Sequence, residues 1–328
     1  MILATLKAGG RDGTLIVVNP ERTHAVVARV ASTLQRALDD WPTVSPVLAT
    51  IAGELAARTR PDAFPIVLDD LAAPLPRAYA FLDGSAYHNH MAPIRQVRGA
   101  KVPDDFFETP LMYQGLSDKI IGPTEPILLR EDEAYGIDIE AEIVVITGDV
   151  PQGVTPAEAP GYVLLLGLLN DVSLRGLIPA EIGRGFGFVQ GKSASSMGPF
   201  VVTPDEVGDL WDGKLLSGSY RCHIRGELIG DLDPGKDASF NYADLIAHAA
   251  KTRELGAGTL IGAGALANAE RQHGSGCIAE ARAREHLATG APQTGYLRFG
   301  DRLKLEFFDC EGHSVFGAID QTVAPWGK

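Results

Sequence analysis

Ile137-Asp138-Ile139-Glu140-Ala141-Glu142-Ile143-Val144-Val145-Ile146 is the stretch on which the fold turns. Its β-branched residues and its alternation of apolar with acidic positions predict a strand. Side chains two apart on a strand share a face. Asp138, Glu140 and Glu142 are therefore expected on one side, with Ile137, Ile139, Ala141 and Ile143 on the other. Three neighbouring carboxylates repel, and burial drives them toward protonation unless water or a cation relieves the charge. After Glu142 the run is wholly apolar, as in a strand entering a core, which argues against full exposure of Glu142. The competing reading is a half-exposed strand with acidic outer positions.

Around this strand the chain has 328 residues, enough for a large domain and a small one with a substantial core. Hydrophobic content of 45% and charged content of 22% are ordinary for a globular protein and argue against disorder. A formal charge of −13 disfavours nucleic acid and anionic membrane as partners. No apolar run approaches the roughly 20 residues that span a bilayer. The first residues, Met1-Ile2-Leu3-Ala4-Thr5-Leu6-Lys7, lack the pattern of a signal peptide, so a soluble cytoplasmic protein is expected. Cys222, Cys277 and Cys310 are odd in number and far apart, which indicates neither a disulfide framework nor a thiolate metal site.

Residues 1–72 read as a small α/β unit of structural role. Ile2–Leu6, Thr14–Val18 and His24–Ala28 are its strands. Ser32 is placed to cap a helix through Leu34, Ala37 and Leu38, and Val47–Ala57 continues in helical period. Ala73-Pro74-Leu75-Pro76 marks the boundary to a catalytic part, residues 73–328. There strand signals dominate: Ile127–Leu129, Pro199–Thr203, Tyr220–Arg225, Thr259–Ile261, Leu303–Phe308 and Val315–Ile319 join the acidic strand. The clearest helix follows Asn241. The fold class is α+β, mostly β. Phe186–Ser193 ends like a phosphate-binding loop, but Phe186 stands where the first glycine is needed. Gly262–Ala267 fits a loose dinucleotide fingerprint outside any βαβ context and reads as a turn.

An all-oxygen cation site needs several carboxylates converging from rigid elements. Besides Glu140 and Glu142, Asp83 lies in Phe81-Leu82-Asp83-Gly84-Ser85, and Asp171 follows the apolar run Val163–Leu169. A lone carboxylate there is expensive to bury without a partner. His90 follows Asp83 by seven residues and is a candidate general base. His88 and His90 have no third histidine or cysteine close by in sequence, so hard oxygen ligands fit better than a transition-metal set. Taken singly, each Asp reads better as an ordinary cap or turn, and Lys192 and Arg175 as surface charges.

The order of these motifs resembles the fumarylacetoacetate hydrolase family. It runs Asp83…His90, Tyr113-Gln114-Gly115, Glu140-Ala141-Glu142, Asn170-Asp171-Val172-Ser173-Leu174-Arg175, Gly191-Lys192-Ser193, and Gly274-Ser275-Gly276-Cys277-Ile278-Ala279-Glu280. The resemblance implies a rolled mixed β-sheet catalytic domain, a small SH3-like N-terminal domain and a homodimer. It implies that Asp83, Glu140, Glu142 and Asp171 ligate Mg²⁺ or Ca²⁺. His90 becomes the base that activates water, with Glu280 orienting it. Lys192 stabilises the oxyanion and, with Arg175, holds the substrate's polar groups. Tyr113 holds a carboxylate or carbonyl, and Arg98 another carboxylate. The reaction implied is cleavage of a carbon–carbon bond in a small dioxo acid, 4-fumarylacetoacetate giving fumarate and acetoacetate, as in tyrosine and phenylalanine catabolism.

Three positions depart from the animal enzyme's pattern: Ser85 replaces a tyrosine, Ile178 a glutamine and Ala265 a threonine. These touch on substrate identity rather than on metal chemistry. Alternatives on the same scaffold are a fumarylpyruvate hydrolase, a 2-oxo-pentenoate hydratase and an oxaloacetate-type decarboxylase. From another class, the protein could be a binding module whose cation only ties strands together.

Overall fold

The computed structural model describes residues 1–327. The N-terminal unit comprises β1 (Ile2–Leu6), β2 (Thr14–Val18), β3 (His24–Val27), α1 (Leu34–Asp39), α2 (Trp41–Ala56) and β4 (Phe64–Pro65). Then come β5 (Phe81–Gly84), α3 (His88–Val97), β6 (Met112–Gln114), β7 (Ile127–Leu129), β8 (Ile137–Asp138) and β9 (Ala141–Thr147). They are followed by β10 (Val163–Asn170), β11 (Ser173–Leu174), α4 (Ile178–Ile182) and β12 (Ser196–Val202). The remainder holds β13 (Ser219–Ile224), β14 (Glu227–Leu232), α5 (Tyr242–Ala249), β15 (Leu260–Gly262), α6 (Ile278–Thr289), β16 (Arg302–Phe308) and β17 (Ser314–Pro325).

A ten-stranded mixed sheet runs β4-β3-β2-β1-β12-β10-β9-β15-β5-β6. A second sheet of five strands, β14-β13-β16-β17-β7, packs on it through β12 and β17. The small unit does not close on itself as an SH3-like barrel would. β1 pairs with β12 as well as β2, so its strands continue the large sheet and leave an open edge at β4.

The acidic stretch lies at the middle of this sheet, but it is two strands rather than one. β8 ends at Asp138 and pairs with β11, while β9 begins at Ala141 between β10 and β15. Asp138 therefore leaves the face expected to hold all three acids. Its carboxylate accepts from the first amides of α6, Ile278 N at 2.7 Å and Ala279 N at 2.9 Å, which satisfies donors that a helix start leaves open. Beyond the break, Ile143 and Val145 enter one apolar core and Val144 and Ile146 the other. A strand covered on both faces reads as a continuous apolar run, which accounts for the sequence after Glu142. The half-exposed reading fails: Asp138, Glu140 and Glu142 are all buried.

Other expectations shift by small amounts. Thr33, not Ser32, caps α1, because both hydroxyls precede the first apolar position and the oxygen of Thr33 meets Arg36 N. Asn241 caps α5 as expected, accepting from Ala243 N and Asp244 N. Helices α3 and α6, which carry His90 and Glu280 and pack against each other, gave no clear helical signal. Pro93 stands inside the first, where a proline argues against a helix, and Cys277 caps the second where a hydroxyl or Asx residue is the usual sign. No helix among the described residues is long and apolar enough to cross a membrane.

Candidate metal centre and base

Four carboxylates converge where β10, β9, β15 and β5 lie side by side. Glu142 projects from β9, Asp83 from β5, Asp171 stands just past β10, and Glu140 occupies the break before β9. Oxygens from all four lie within 4.8 Å of one another, and every one of these residues is buried. Register explains the meeting. Gly262 of β15 sits between the strands of Glu142 and Asp83, facing Asp83 directly. A Cβ at Gly262 would come within 2.4 Å of Asp83 Oδ1 and 2.7 Å of Glu142 Oε2. The missing side chain is the room in which the two acids meet. The segment read as a turn follows at once, and Gly264 N donates to Asp83 Oδ1 at 3.1 Å.

Two of the four acids have cationic partners. Lys192 Nζ lies 2.6 Å from both Glu140 Oε2 and Asp171 Oδ2. Arg175 reaches Glu140 Oε1 through Nη2 at 2.6 Å and Asp138 Oδ2 through Nε at 2.8 Å. Burial opposes ionisation of Glu140, yet Lys192 and Arg175 outweigh it and hold the group well below the usual carboxylate range. Asp171 also accepts from Ser195 Oγ at 2.7 Å and from the Tyr113 hydroxyl.

Asp83 and Glu142 have no such partner. Burial, reinforced by Asp171 and Glu140, raises Asp83 to about 8. Burial and the neighbouring acids likewise push Glu142 well above its ordinary value. Neither carboxylate oxygen of Glu142 has a hydrogen-bond partner. Two buried acids lacking counter-charge are expensive, and a divalent cation supplies the two positive charges required. An all-oxygen donor set of four acids suits a hard ion such as Mg²⁺, Ca²⁺ or Mn²⁺. The residues present therefore fit the cation expected of them.

His90, on α3, lines the same cavity of about 610 Å³ as Asp83, Glu140, Tyr113, Lys192, Arg175 and Arg98. Its Nδ1 faces Glu280 Oε2 at 3.4 Å. Glu280, wholly buried in the first turn of α6, is in ion-pair contact with Arg284 through Oε1 at 2.6 Å. Burial and the nearby Arg175 lower the pKa of Arg98, whose guanidinium faces the cavity without a carboxylate to hold it among the described residues. Ser85, Ile178 and Ala265 also line this cavity, so all three departures fall on its wall. A larger open groove of about 1400 Å³, around Arg22 and Phe308, holds no comparable group of converging acids among the described residues.

Several contributors escaped the sequence reading. Asp138 ties Arg175 to the start of α6. Glu181 accepts from the amides of Val189, Gln190 and Gly191 and fixes the segment leading into Lys192. Ser195 and Arg284 complete the pairing of Asp171 and Glu280. Only the acidic character of Asp138, in alternation with Glu140, carried any advance signal.

Comparison with known proteins places the chain in a family. The family model described as fumarylacetoacetate (FAA) hydrolase C-terminal matches residues 80–324, and that described as fumarylacetoacetase N-terminal domain 2 matches residues 1–77. The 2,4-didehydro-3-deoxy-L-rhamnonate hydrolase of Sphingomonas sp. (strain SKA58) is 27% identical over 220 residues, 66% of each chain. The mitochondrial oxaloacetate tautomerase of Xenopus laevis is 26% identical over 155 residues, 46% of each. The matches thus span about half to two thirds of these relatives' length. A crystal structure of maleylpyruvate hydrolase from Sphingobium sp. SYK-6, in complex with manganese(II) and pyruvate, superposes with a TM-score of 0.66. It shares 17% identity and covers 99% of both chains, a likeness of fold.

Proposed function

The chain belongs to the fumarylacetoacetate hydrolase family, whose members include hydrolases and tautomerases, and from that premise we propose a metal-dependent carbon–carbon hydrolase. The substrate that fits the reading best is a β-diketone acid, with 4-fumarylacetoacetate first. The observation that carries it is the pair of uncompensated acids, Asp83 and Glu142, in one cavity with a histidine that faces a buried glutamate. The manganese and pyruvate bound by the maleylpyruvate hydrolase support a divalent ion and an oxo acid here.

Asp83, Glu140, Glu142 and Asp171 would hold the ion, which when bound polarises a chelating carbonyl as a Lewis acid. His90 takes the proton from water at the ring nitrogen that does not face Glu280. Glu280 fixes the ring and stabilises the imidazolium that results, the logic of a catalytic triad with water in place of serine. The charge of Glu280 is itself held by Arg284. Lys192 donates to the oxyanion formed at the attacked carbonyl, which requires it to share its protons between Glu140, Asp171 and the substrate. Arg98 binds an outer oxygen of the substrate, and Tyr113 binds another by turning its single O–H donor from Asp171 to the substrate. Arg175 keeps Nη1 for the substrate, since its other donors anchor Asp138 and Glu140.

A second reading keeps the mechanism and changes the substrate to an acylpyruvate such as fumarylpyruvate. It is favoured by Ser85, Ile178 and Ala265, which put smaller or apolar groups on the wall where a polar contact would select the longer diketone. The test is loss of diketone absorbance with purified protein and Mg²⁺, followed by product identification across a panel of dioxo acids. Cleavage stopped by chelator and lowered about 10²–10⁴-fold in His90→Ala is expected. Wild-type turnover in His90→Ala would eliminate the proposed base. A binding module would show no turnover with any member of the panel.

A further inference from the structure

Beside the acidic cluster, a second group of ligating atoms meets at the interface of α3 and α6. Cys277 Sγ lies 3.6 Å from His90 Nδ1, and His90 Nδ1 lies 3.4 Å from Glu280 Oε2. The three ligand atoms all fall within 4.8 Å of one another. We propose that His90, Cys277 and Glu280 form a distinct soft-metal site, taking Zn²⁺ or a cation of similar character, whose occupancy takes the general base out of service.

Geometry is the first support. Zinc bonds of about 2.3 Å to sulfur and 2.0–2.2 Å to nitrogen and oxygen give tetrahedral edges of roughly 3.3–3.6 Å. The separations of 3.6 and 3.4 Å are of that size before any metal draws the atoms together. The second support is an unsatisfied group. Glu280 is wholly buried, and Oε2 has no partner in hydrogen-bond geometry, while Arg284 engages only Oε1. A carboxylate, and a thiolate once the metal displaces the proton that burial keeps on Cys277, offer a dication two negative charges, with Arg284 beside the carboxylate. The third support is access: the His90 side chain is 13% exposed and lines the substrate cavity, leaving a fourth position for water.

Hardness separates the two sites. The acidic cluster offers oxygen alone and suits Mg²⁺ or Ca²⁺, whereas a sulfur, nitrogen and oxygen set selects zinc. Zinc here occupies the nitrogen that faces Glu280, so the imidazole can no longer be oriented or charged by that carboxylate. The site itself does not depend on the proposed reaction; only the inhibitory consequence does.

The test uses the full-length protein saturated with Mg²⁺, in a Cys310→Ser background that removes the exposed thiol. Titration with Co²⁺ is expected to give near-ultraviolet thiolate-to-cobalt charge transfer that saturates at one equivalent. Cys277→Ser abolishes it, and Glu142→Gln, which cripples only the acidic cluster, retains it. Zinc inhibition of turnover, measured with excess Mg²⁺, weakens in Cys277→Ser by at least the roughly 10–100-fold that loss of a mere outer partner costs. Should Cys277→Ser fold poorly, His90→Gln provides the same spectroscopic comparison. No band in the parent protein, or an undiminished band in Cys277→Ser or His90→Gln, overturns the proposal. Because the band needs no turnover, its absence is distinguishable from a wrong substrate.

Discussion

At the scale of single residues, the chemistry rests on which buried acids have partners. Glu140 is ionised because Lys192 and Arg175 stand against it; Asp83 and Glu142 have only each other and Asp171. This fixes the sign of a pH effect. In the metal-free fold Asp83 titrates at about 8, above the roughly 3.9 of an unfolded chain. Below about pH 4 both states hold the proton. As pH climbs from about 4 to about 8, the unfolded chain releases it while the native one retains it, so stability falls. Glu142 acts in the same direction. Thermal melts of chelator-treated protein should therefore decline over that window, and added Mg²⁺ should raise Tm more at about pH 8 than at about pH 5.5. A metal effect that does not grow with pH would contradict this assignment.

At the scale of elements, two junctions carry the arrangement. Asp138 joins β8, the start of α6 and Arg175, which in turn holds Glu140. Asp138→Asn removes the charge opposite a buried guanidinium. Stability should drop by about 3 kcal/mol, the low end for breaking a buried pair because Glu140 remains with Arg175. The drop would appear in Tm, with kcat falling because α6 also carries Glu280. An unchanged melting curve would show that the junction is incidental. Gly262 is the second junction. Gly262→Ala puts a methyl group into the space between Asp83 and Glu142 and should weaken metal binding by roughly tenfold or more while the fold survives. Equal affinity in the alanine variant would remove the packing argument.

The same elements show what was legible in advance. Strands β2, β7 and β13 could be read closely because short apolar or β-branched runs bounded by turn residues have few other solutions. The acidic stretch was correctly placed at the centre, but alternation alone could not reveal its break at Ile139-Glu140. That break exists because a distant helix start claims Asp138. Helices α3 and α6 stayed hidden for local reasons, a proline inside one and a cysteine cap on the other. The candidate site residues were named as chemical types in order along the chain, and the fold brings them to one cavity or its buried floor. Arg284, Ser195 and Glu181 act through contacts that only the folded chain creates.

At the scale of the whole molecule, the large sheet gathers acids from separate strands into one cluster, the proposed cation site, while the packed pair α3 and α6 brings His90, the proposed base, to the same cavity. The most direct measurement of that claim is calorimetric titration of Mn²⁺ or Mg²⁺ into chelator-treated protein, run in buffers of different ionisation enthalpy. The account predicts one ion per chain in the acidic cluster, bound with release of protons from Asp83 and Glu142. It predicts that Glu142→Gln loses this binding yet is no less stable metal-free, since a neutral amide replaces an acid already held protonated. Binding without proton release, or unaltered affinity in Glu142→Gln, would contradict it.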